Sequence, residues 1–384
     1  MRSRIRTAHA CAPDAREAVR AFHAAVDQPD MELVIFFCSA EYDLEAISEE
    51  VNRLFHGVQV VGCTTAGEIG PAGYRDHSLT GASFPASDFT AVSHGIKHLQ
   101  QFETGIGEAA VTDLLGRLES LAPNADATNS FALLLIDGLS IREEVVTDVL
   151  QYALGELPLA GGSAGDGLNF GSTHVYFEGS FHPDCAILTL VSTPLPFKLF
   201  KTQHLVSMDE RMVVTEADAG RRIVMELNGR PAAQEYARVL RLDPADLGPT
   251  RFAASPVVVM IDGASYVRSI QSANPDGSLT FFCAIENGLV LRGAKGVDLL
   301  KNLEEAFAQI RAQIGPPQFV LGCDCVLRKL EILPSPQKDR VAEVLQQNNT
   351  IGFNTYGEQF NGVHVNQTLV GIAIGAGAMA ANNV

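Results

Sequence analysis

The chain has 384 residues, 46% hydrophobic against 19% charged, so it encodes a folded globular protein of two or three domains rather than a disordered one. Its 45 acidic and 28 basic residues leave a net charge of −17, which repels phosphate backbones and anionic lipid heads and excludes nucleic acid and membrane surfaces as expected partners. No apolar run reaches the roughly 18–20 residues of a membrane-spanning helix; the longest, Thr368 to Met379, is short and rich in Gly and Ala.

The elements follow one another in a repeating order. Met1-Arg2-Ser3-Arg4-Ile5-Arg6 is basic, but no apolar stretch follows it, so no secretory leader is expected. Leu33–Phe37 reads as a buried strand, Cys38-Ser39 as a turn, and Leu44, Ile47, Val51, Leu54 and Phe55 as one face of a helix. The loop Gly62-Cys-Thr-Thr65-Ala-Gly67-Glu68 comes next. A second series has the strand Ala132–Ile136, the turn Asp137-Gly138, a helix through Val145, Val146, Val149, Leu150 and Ala153, and the loop Ala160-Gly-Gly-Ser163-Ala-Gly165-Asp166. Near Ala217–Gly220 a charged segment precedes a new strand, Ile223–Leu227, and marks the expected domain boundary. Asn228-Gly229 and Asp276-Gly277 supply the positive φ of tight turns. Val297–Ile314 is a surface helix. The third series has Phe319–Leu321, Cys323-Asp324-Cys325, a helix through Val341, Val344 and Leu345, and the loop Gly352-Phe-Asn-Thr355-Tyr356-Gly357-Glu358.

The first and third loops align without a gap through Leu79 on Leu369 and Gly81 on Gly371. The second is looser, with Asp166 set in the place of the acids Glu68 and Glu358. The repeat predicts an α/β protein of strand–helix–strand units with mixed sheets and hairpin insertions, in two domains, 28–218 and 219–376. Loops at strand ends that carry Gly, short hydroxyls and an acid can cradle a small polar ligand. Thr65, Gly67, Glu68, Ser163, Asp166, Tyr356, Gly357, Glu358, Asn366 and Thr368 are the candidate ligand-binding residues. The same pattern also serves turn geometry alone.

No P-loop, dinucleotide fingerprint, H-E-x-x-H or G-x-S-x-G occurs, and no nucleophile is matched to a base, so no catalytic residue is named and an enzyme is not expected. Cys11, Cys38, Cys63, Cys185, Cys283, Cys323 and Cys325 are an odd, scattered set that fits reduced thiols in a cytoplasm better than a disulfide framework or a metal site. His204, after Phe197–Phe200, and His364, after the third loop, are either satisfied polar residues at strand ends or axial ligands to a non-covalent haem.

Gly62–Gly70, Leu159–Gly167 and Gly352–Thr368, with Glu226-Leu-Asn-Gly229-Arg-Pro231-Ala-Ala-Gln-Glu-Tyr236 as the opening of a C-terminal domain, resemble FIST proteins over nearly the whole chain. That resemblance implies a sensory, small-ligand-binding protein of prokaryotic signal transduction, with amino acids as proposed ligands. Stand-alone members of similar size bind haem b, sense nitric oxide and act on a partner histidine kinase. The resemblance therefore implies a haem-based sensor with His204 or His364 on the iron, or a sensor of an amino acid or other metabolite without haem. At His204 many members have Gly, which points to a member-specific role for this histidine.

Overall fold

A computed structural model describes residues 4–71, 73–261 and 264–377; Met1–Ser3 and the Met379 end of the apolar tail lie outside the described residues. The first unit runs β1 (Arg6–Ala10), α1 (Ala15–Val26), β2 (Met31–Ser39), α2 (Leu44–Leu54), β3 (Gln59–Thr65), a hairpin of β4 (Glu68–Gly70) and β5 (Gly73–Arg75), and β6 (Leu79–Pro85). The second repeats it: β7 (Thr90–Lys97), α3 (Thr104–Leu121), β8 (Ser130–Ile136), α4 (Glu143–Leu154), β9 (Leu159–Ser163), the hairpin β10 (Val175–Phe177) and β11 (Ser180–His182), and β12 (Cys185–Ser192). The third begins with β13 (Phe197–Thr202) and is interrupted by an insertion.

The insertion holds β14 (Leu205–Asp218), β15 (Ile223–Leu227), β16 (Arg230–Pro231), α5 (Ala232–Leu240), α6 (Pro249–Ala254), β17 (Val257–Ile261), β18 (Ala264–Arg268), β19 (Ile270–Ala273), β20 (Leu279–Phe281) and β21 (Val290–Gly296), forming one eight-stranded antiparallel sheet. The third unit then resumes with α7 (Leu299–Ile314), β22 (Pro317–Cys325), α8 (Val326–Ile332), α9 (Lys338–Gln347), β23 (Thr350–Thr355), the hairpin β24 (Glu358–Phe360) and β25 (Val363–Val365), and β26 (Leu369–Gly375). The expected boundary at Ala217–Gly220 is therefore not a structural break. Asp218 pairs with Ile223 inside the inserted sheet.

Each unit builds the same sheet order, first strand, last, second, third, and each then adds the hairpin of another unit. The orders are β1-β6-β2-β3-β10-β11, β7-β12-β8-β9-β24-β25 and β13-β26-β22-β23-β4-β5. The hairpins are exchanged cyclically, so no unit completes its sheet alone. Side chains alternate across each strand. Leu33, Ile35 and Phe37 point into a core shared with Leu133, Leu135, Leu321, Cys323 and Phe353 of the other sheets, while Val34, Phe36 and Cys38 point out under the first unit's helices. Phe37 and Phe353 stack with centroids 4.2 Å apart. Both faces of the three unit sheets are covered, which is why their central strands read as unbroken apolar runs.

Pairing also fixes the repeat register. Gly62, Gly161 and Gly352 lie opposite Phe36, Leu134 and Gly322 in the parallel pairs, and a Cβ on any of the three would collide with that partner's carbonyl oxygen. Gly62 therefore corresponds to Gly161, not to Ala160, and the second loop is shifted by one residue from the sequence alignment. Carried forward, the pairing puts Val175 opposite Cys63, where Glu358 faces Gly162 and Glu68 faces Phe353. The second unit thus has Val175 where the others have an acid, and Asp166 is not the third member of that set.

Candidate ligand-binding site

The third strands of the three units end against one another. Ala66 N–H donates to Asn354 O at 2.9 Å, Gly165 N–H to Thr64 O at 3.0 Å and Tyr356 N–H to Ser163 O at 3.4 Å, a cyclic set that ties the three loops together. Beside this junction is a cavity of about 380 Å³ walled by Thr65, Ala66 and Gly67, by Asp166 to Asn169, by Ser39 to Glu41, by Asp76 and His77, by Val326, Lys329 and Leu330 of α8, and by Leu333 just after it. A slightly larger cavity of about 410 Å³ between α2, β7 and the β10–β11 hairpin holds none of the predicted residues.

Lys329 gives the first cavity its chemistry. Its ammonium is buried, donates to Ala66 O at 2.9 Å and pairs with Asp76, a carboxylate that is 74% exposed. Gly67, at φ +127°, has no room for a side chain, because an added Cβ would collide with Lys329 Nζ and lie 3.1 Å from Asn354 Oδ1. Asn354 Oδ1 is buried with no hydrogen-bond partner. The buried cation is on the cavity wall and suits an anionic group; the unpaired oxygen lies behind Gly67, outside the lining residues.

Of the predicted residues, Thr65, Gly67 and Asp166 are on this wall. Asp166 shapes it: its carboxylate accepts from Phe170 N at 2.9 Å, Gly171 N at 2.7 Å, Ser172 N at 2.9 Å and the Tyr356 hydroxyl. The others are interior supports. Glu68 accepts from Thr65 and from Ser78 Oγ at 2.5 Å; Glu358 accepts from Thr355 and from Thr368 Oγ1 at 2.7 Å. Each carboxyl ties the start of an exchanged hairpin to the start of its unit's last strand. Ser163 accepts from Gln359 Nε2 at 2.8 Å, and Asn366 donates to Tyr356 O at 3.3 Å, with His364 and Asn366 packed around Gly357. The expectation that Tyr356, Glu358, Asn366 and Thr368 line one open cavity is therefore corrected: they meet, but as packed interior. Sequence reasoning missed Lys329 and Asp76; the basic pair Arg328-Lys329 was the available signal.

Burial raises the Glu358 carboxyl to about 8, against the lowering pull of its hydroxyl partners, and raises Glu68 to about 7. A carboxyl raised in the folded state adds stability that is complete below about pH 4.5 and is lost as pH rises through its folded value. Glu358→Gln keeps the acid's shape and cannot ionise. Its stability relative to the parent is expected to improve between pH 5 and pH 8 by at least about 1.4 kcal/mol, the equivalent of one pKa unit. Urea unfolding at the two pH values checks this; a difference that does not move with pH means that Glu358 is held ionised.

The two histidines do not fit the haem expectation. His204 accepts at Nδ1 from Arg328 at 3.1 Å and reaches Glu331 through Nε2 at 2.9 Å, so neither nitrogen is free, and its neighbours are charged. His364 is 3% exposed, with its ring wedged against Gly357 and a hydrogen bond to the Phe282 backbone. Among the described residues no group of three His, Cys, Asp or Glu side chains is placed to hold a metal ion, and no helix is long and apolar enough to cross a membrane. Six of the seven cysteines are buried, Cys11 is exposed, and none is in a disulfide.

A model of the FIST N domain matches residues 32–230, and one of the FIST C domain matches residues 232–361. The uncharacterized protein MJ1623 of Methanocaldococcus jannaschii is 23% identical over 201 residues, which make up 50% of this chain and 38% of that protein, so the chain spans well under two thirds of this relative. A solved structure described as cyanuric acid hydrolase, an evolutionary innovation by structural concatenation, is 10% identical and covers 52% of this chain and 71% of its own at a TM-score of 0.30, a likeness too low to carry an argument.

Proposed function

The chain belongs to the FIST family, whose domains are small-ligand sensors of signal transduction, and from that premise we propose that it binds a small polar metabolite in the Lys329 cavity and signals through a partner histidine kinase in the cytoplasm. The observation that carries this reading is the buried ammonium of Lys329 on the cavity wall, with its carboxylate partner Asp76 largely exposed. An amino acid or related carboxylate offers an anionic group for that ammonium. The reading is one of binding rather than catalysis: the oxygens of Asp166, the buried acid on the wall, are engaged by the Phe170, Gly171 and Ser172 N–H groups and the Tyr356 hydroxyl.

Calorimetric titration with a panel of amino acids and short carboxylates tests it. At least one compound is expected to bind the parent, and Lys329→Met is expected to bind it at least tenfold more weakly while keeping the parent's far-ultraviolet spectrum. Equal binding by the two proteins would move the ligand elsewhere. Haem b added to the parent is expected to give no specific Soret band; a band lost in His364→Ala would restore the haem reading.

A further inference from the structure

The cavity of about 410 Å³ between α2, β7 and the β10–β11 hairpin shares no lining residue with the Lys329 cavity, and the second unit shows the same place closed. Tyr176 of the exchanged hairpin pairs with Gly62 of β3, as Gln359 pairs with Gly161 of β9. Both hairpins then turn through the same left-handed pair, Glu178 at φ +50° and Gly179 at +80°, Asn361 at +45° and Gly362 at +84°. In the second unit this turn completes the sheet edge. Asn361 N–H donates to Leu159 O at 2.9 Å, and its Oδ1 accepts from Leu159 N–H at 3.3 Å. Gln151 of α4 fills the space behind the turn, so that a Cβ added to Gly362 would lie 3.2 Å from its Cβ and Cγ.

In the first unit neither closure is made. Val60 stands where Leu159 does, opposite Val34 as Leu159 is opposite Ala132. Backbone groups alternate in direction along a strand. Thr64 N–H donates to His174 O at 3.0 Å on the hairpin side, so Val60 presents its N–H and C=O to that side too. The β3–β10 pairing ends at Gly62, and among the described residues no group bonds to either of them. The Glu178 carboxylate reaches instead to Lys97 at 3.2 Å and is 69% exposed. Asn52, shorter than the Gln151 whose place it takes, is held on the hairpin: it donates to Gly179 O at 2.8 Å and accepts from the Tyr176 hydroxyl at 3.0 Å. What remains is a cavity whose wall carries Val60, the buried and unpartnered Gln59 Nε2, and an apolar side of Val51, Phe55, Val58, Phe177 and Ile187.

We propose that this cavity is a second ligand site, separate from the Lys329 cavity, for an uncharged molecule that carries an amide group on an apolar body. The amide takes the part that Asn361 plays in the second unit. Its C=O accepts from Val60 N–H and Gln59 Nε2, its N–H donates to Val60 O, and the body lies on the apolar side of the cavity. The wall buries no charge: Glu178 is directed to Lys97 and His56 is exposed, so an ion entering the cavity would lose its hydration without a partner. A volume of about 410 Å³ is within the roughly 300–1,000 Å³ of ligand pockets. Glu178 points the same way. Asn is the favoured residue at the first position of such a turn, and Asn there would close the strand edge as Asn361 does. Because the hairpin belongs to the second unit and α2 and β3 to the first, an occupant joins the two units.

N-benzylacetamide, benzyl acetate and benzylammonium share one ring and differ in the polar group they offer. The amide is expected to shift the nitrogen and proton resonances of the Val60 backbone and the Gln59 side chain. The ester, which lacks the donor, and the cation are expected to bind at least about tenfold more weakly. Glu178→Asn with Asn52→Gln copies the second unit. This double variant is expected to melt at or above the parent temperature and to bind N-benzylacetamide at least about tenfold more weakly. Gln59→Met, which removes the unpaired donor and keeps the side chain's length, is expected to melt with the parent and to weaken the amide at least about threefold. No Val60 shift with N-benzylacetamide, equal binding of the ester or the cation, or either variant binding the amide as the parent does would each overturn the proposal. None of these readouts involves Lys329.

Discussion

Arg222→Ala is expected to destabilise the protein by about 3–5 kcal/mol, the range for removing one partner of a buried ion pair. Arg222 ends a short helical turn at φ +55° and donates to Glu143 at 2.7 Å, to Glu144 and to Phe282 O at 2.7 Å. Glu143 is 1% exposed, and among the described residues no other cation is paired with it. Even with Arg222 present, burial raises its carboxyl to about 7. Without the guanidinium that value climbs further, and the acid escapes part of the cost by staying protonated. The loss is therefore expected to be larger at pH 8 than at pH 6, as measured by urea unfolding. Because Arg222 is in the insertion and Glu143 on α4 of the body, faster proteolysis within residues 205–296 should accompany it. A loss below about 1 kcal/mol, the scale of an exposed pair, would show that this clamp does not hold the insertion.

The repeat was legible in the sequence because each unit must bury both faces of its sheet, and the resulting apolar runs and amphipathic helices recur at matched spacing. The register of the second copy was not. Ala160-Gly161-Gly162 is so uniform that two alignments fit equally, and only the carbonyl of Leu134 above Gly161 decides between them. That one-residue shift made Asp166 look like the partner of Glu68 and Glu358. The cyclic exchange of hairpins was also out of reach, since local pattern predicts a hairpin but not the sheet it joins. The insertion read as the opening of a second domain with hairpin turns, not as an interruption of the third unit. His204 was singled out, but its partners Arg328 and Glu331 are 124 and 127 residues away, and they turn a candidate iron ligand into a member of a buried charge cluster. Lys329 has no local signature beyond the basic pair Arg328-Lys329. Its role comes from α8 of the third unit lying over a loop of the first.

That cluster makes the second large prediction. Arg328 and Asp324 are each 1% exposed and joined at 2.6 Å, with the Tyr74 hydroxyl donating to Asp324 at 2.5 Å. Asp324 pairs with Asn354 as Cys38 pairs with Thr64 and Ile136 with Ser163, so the fold accepts an apolar side chain at this position in both other units. Arg328→Leu alone is expected to cost about 3–5 kcal/mol, because it strands a carboxylate in the interior. Adding Asp324→Ile removes the stranded charge but leaves the Tyr74 hydroxyl and His204 Nδ1 each short of a partner, so recovery should be partial, with about 1–3 kcal/mol still missing for each unpaired group. Tyr74→Phe, which copies Phe181 of the second unit, should return the hydroxyl's share. The order of stability expected from urea midpoints is therefore Arg328→Leu below the double variant, and the double below the triple. A double variant no more stable than Arg328→Leu would mean that the cost of the single substitution comes from lost packing of the long arginine side chain rather than from the carboxylate it leaves behind.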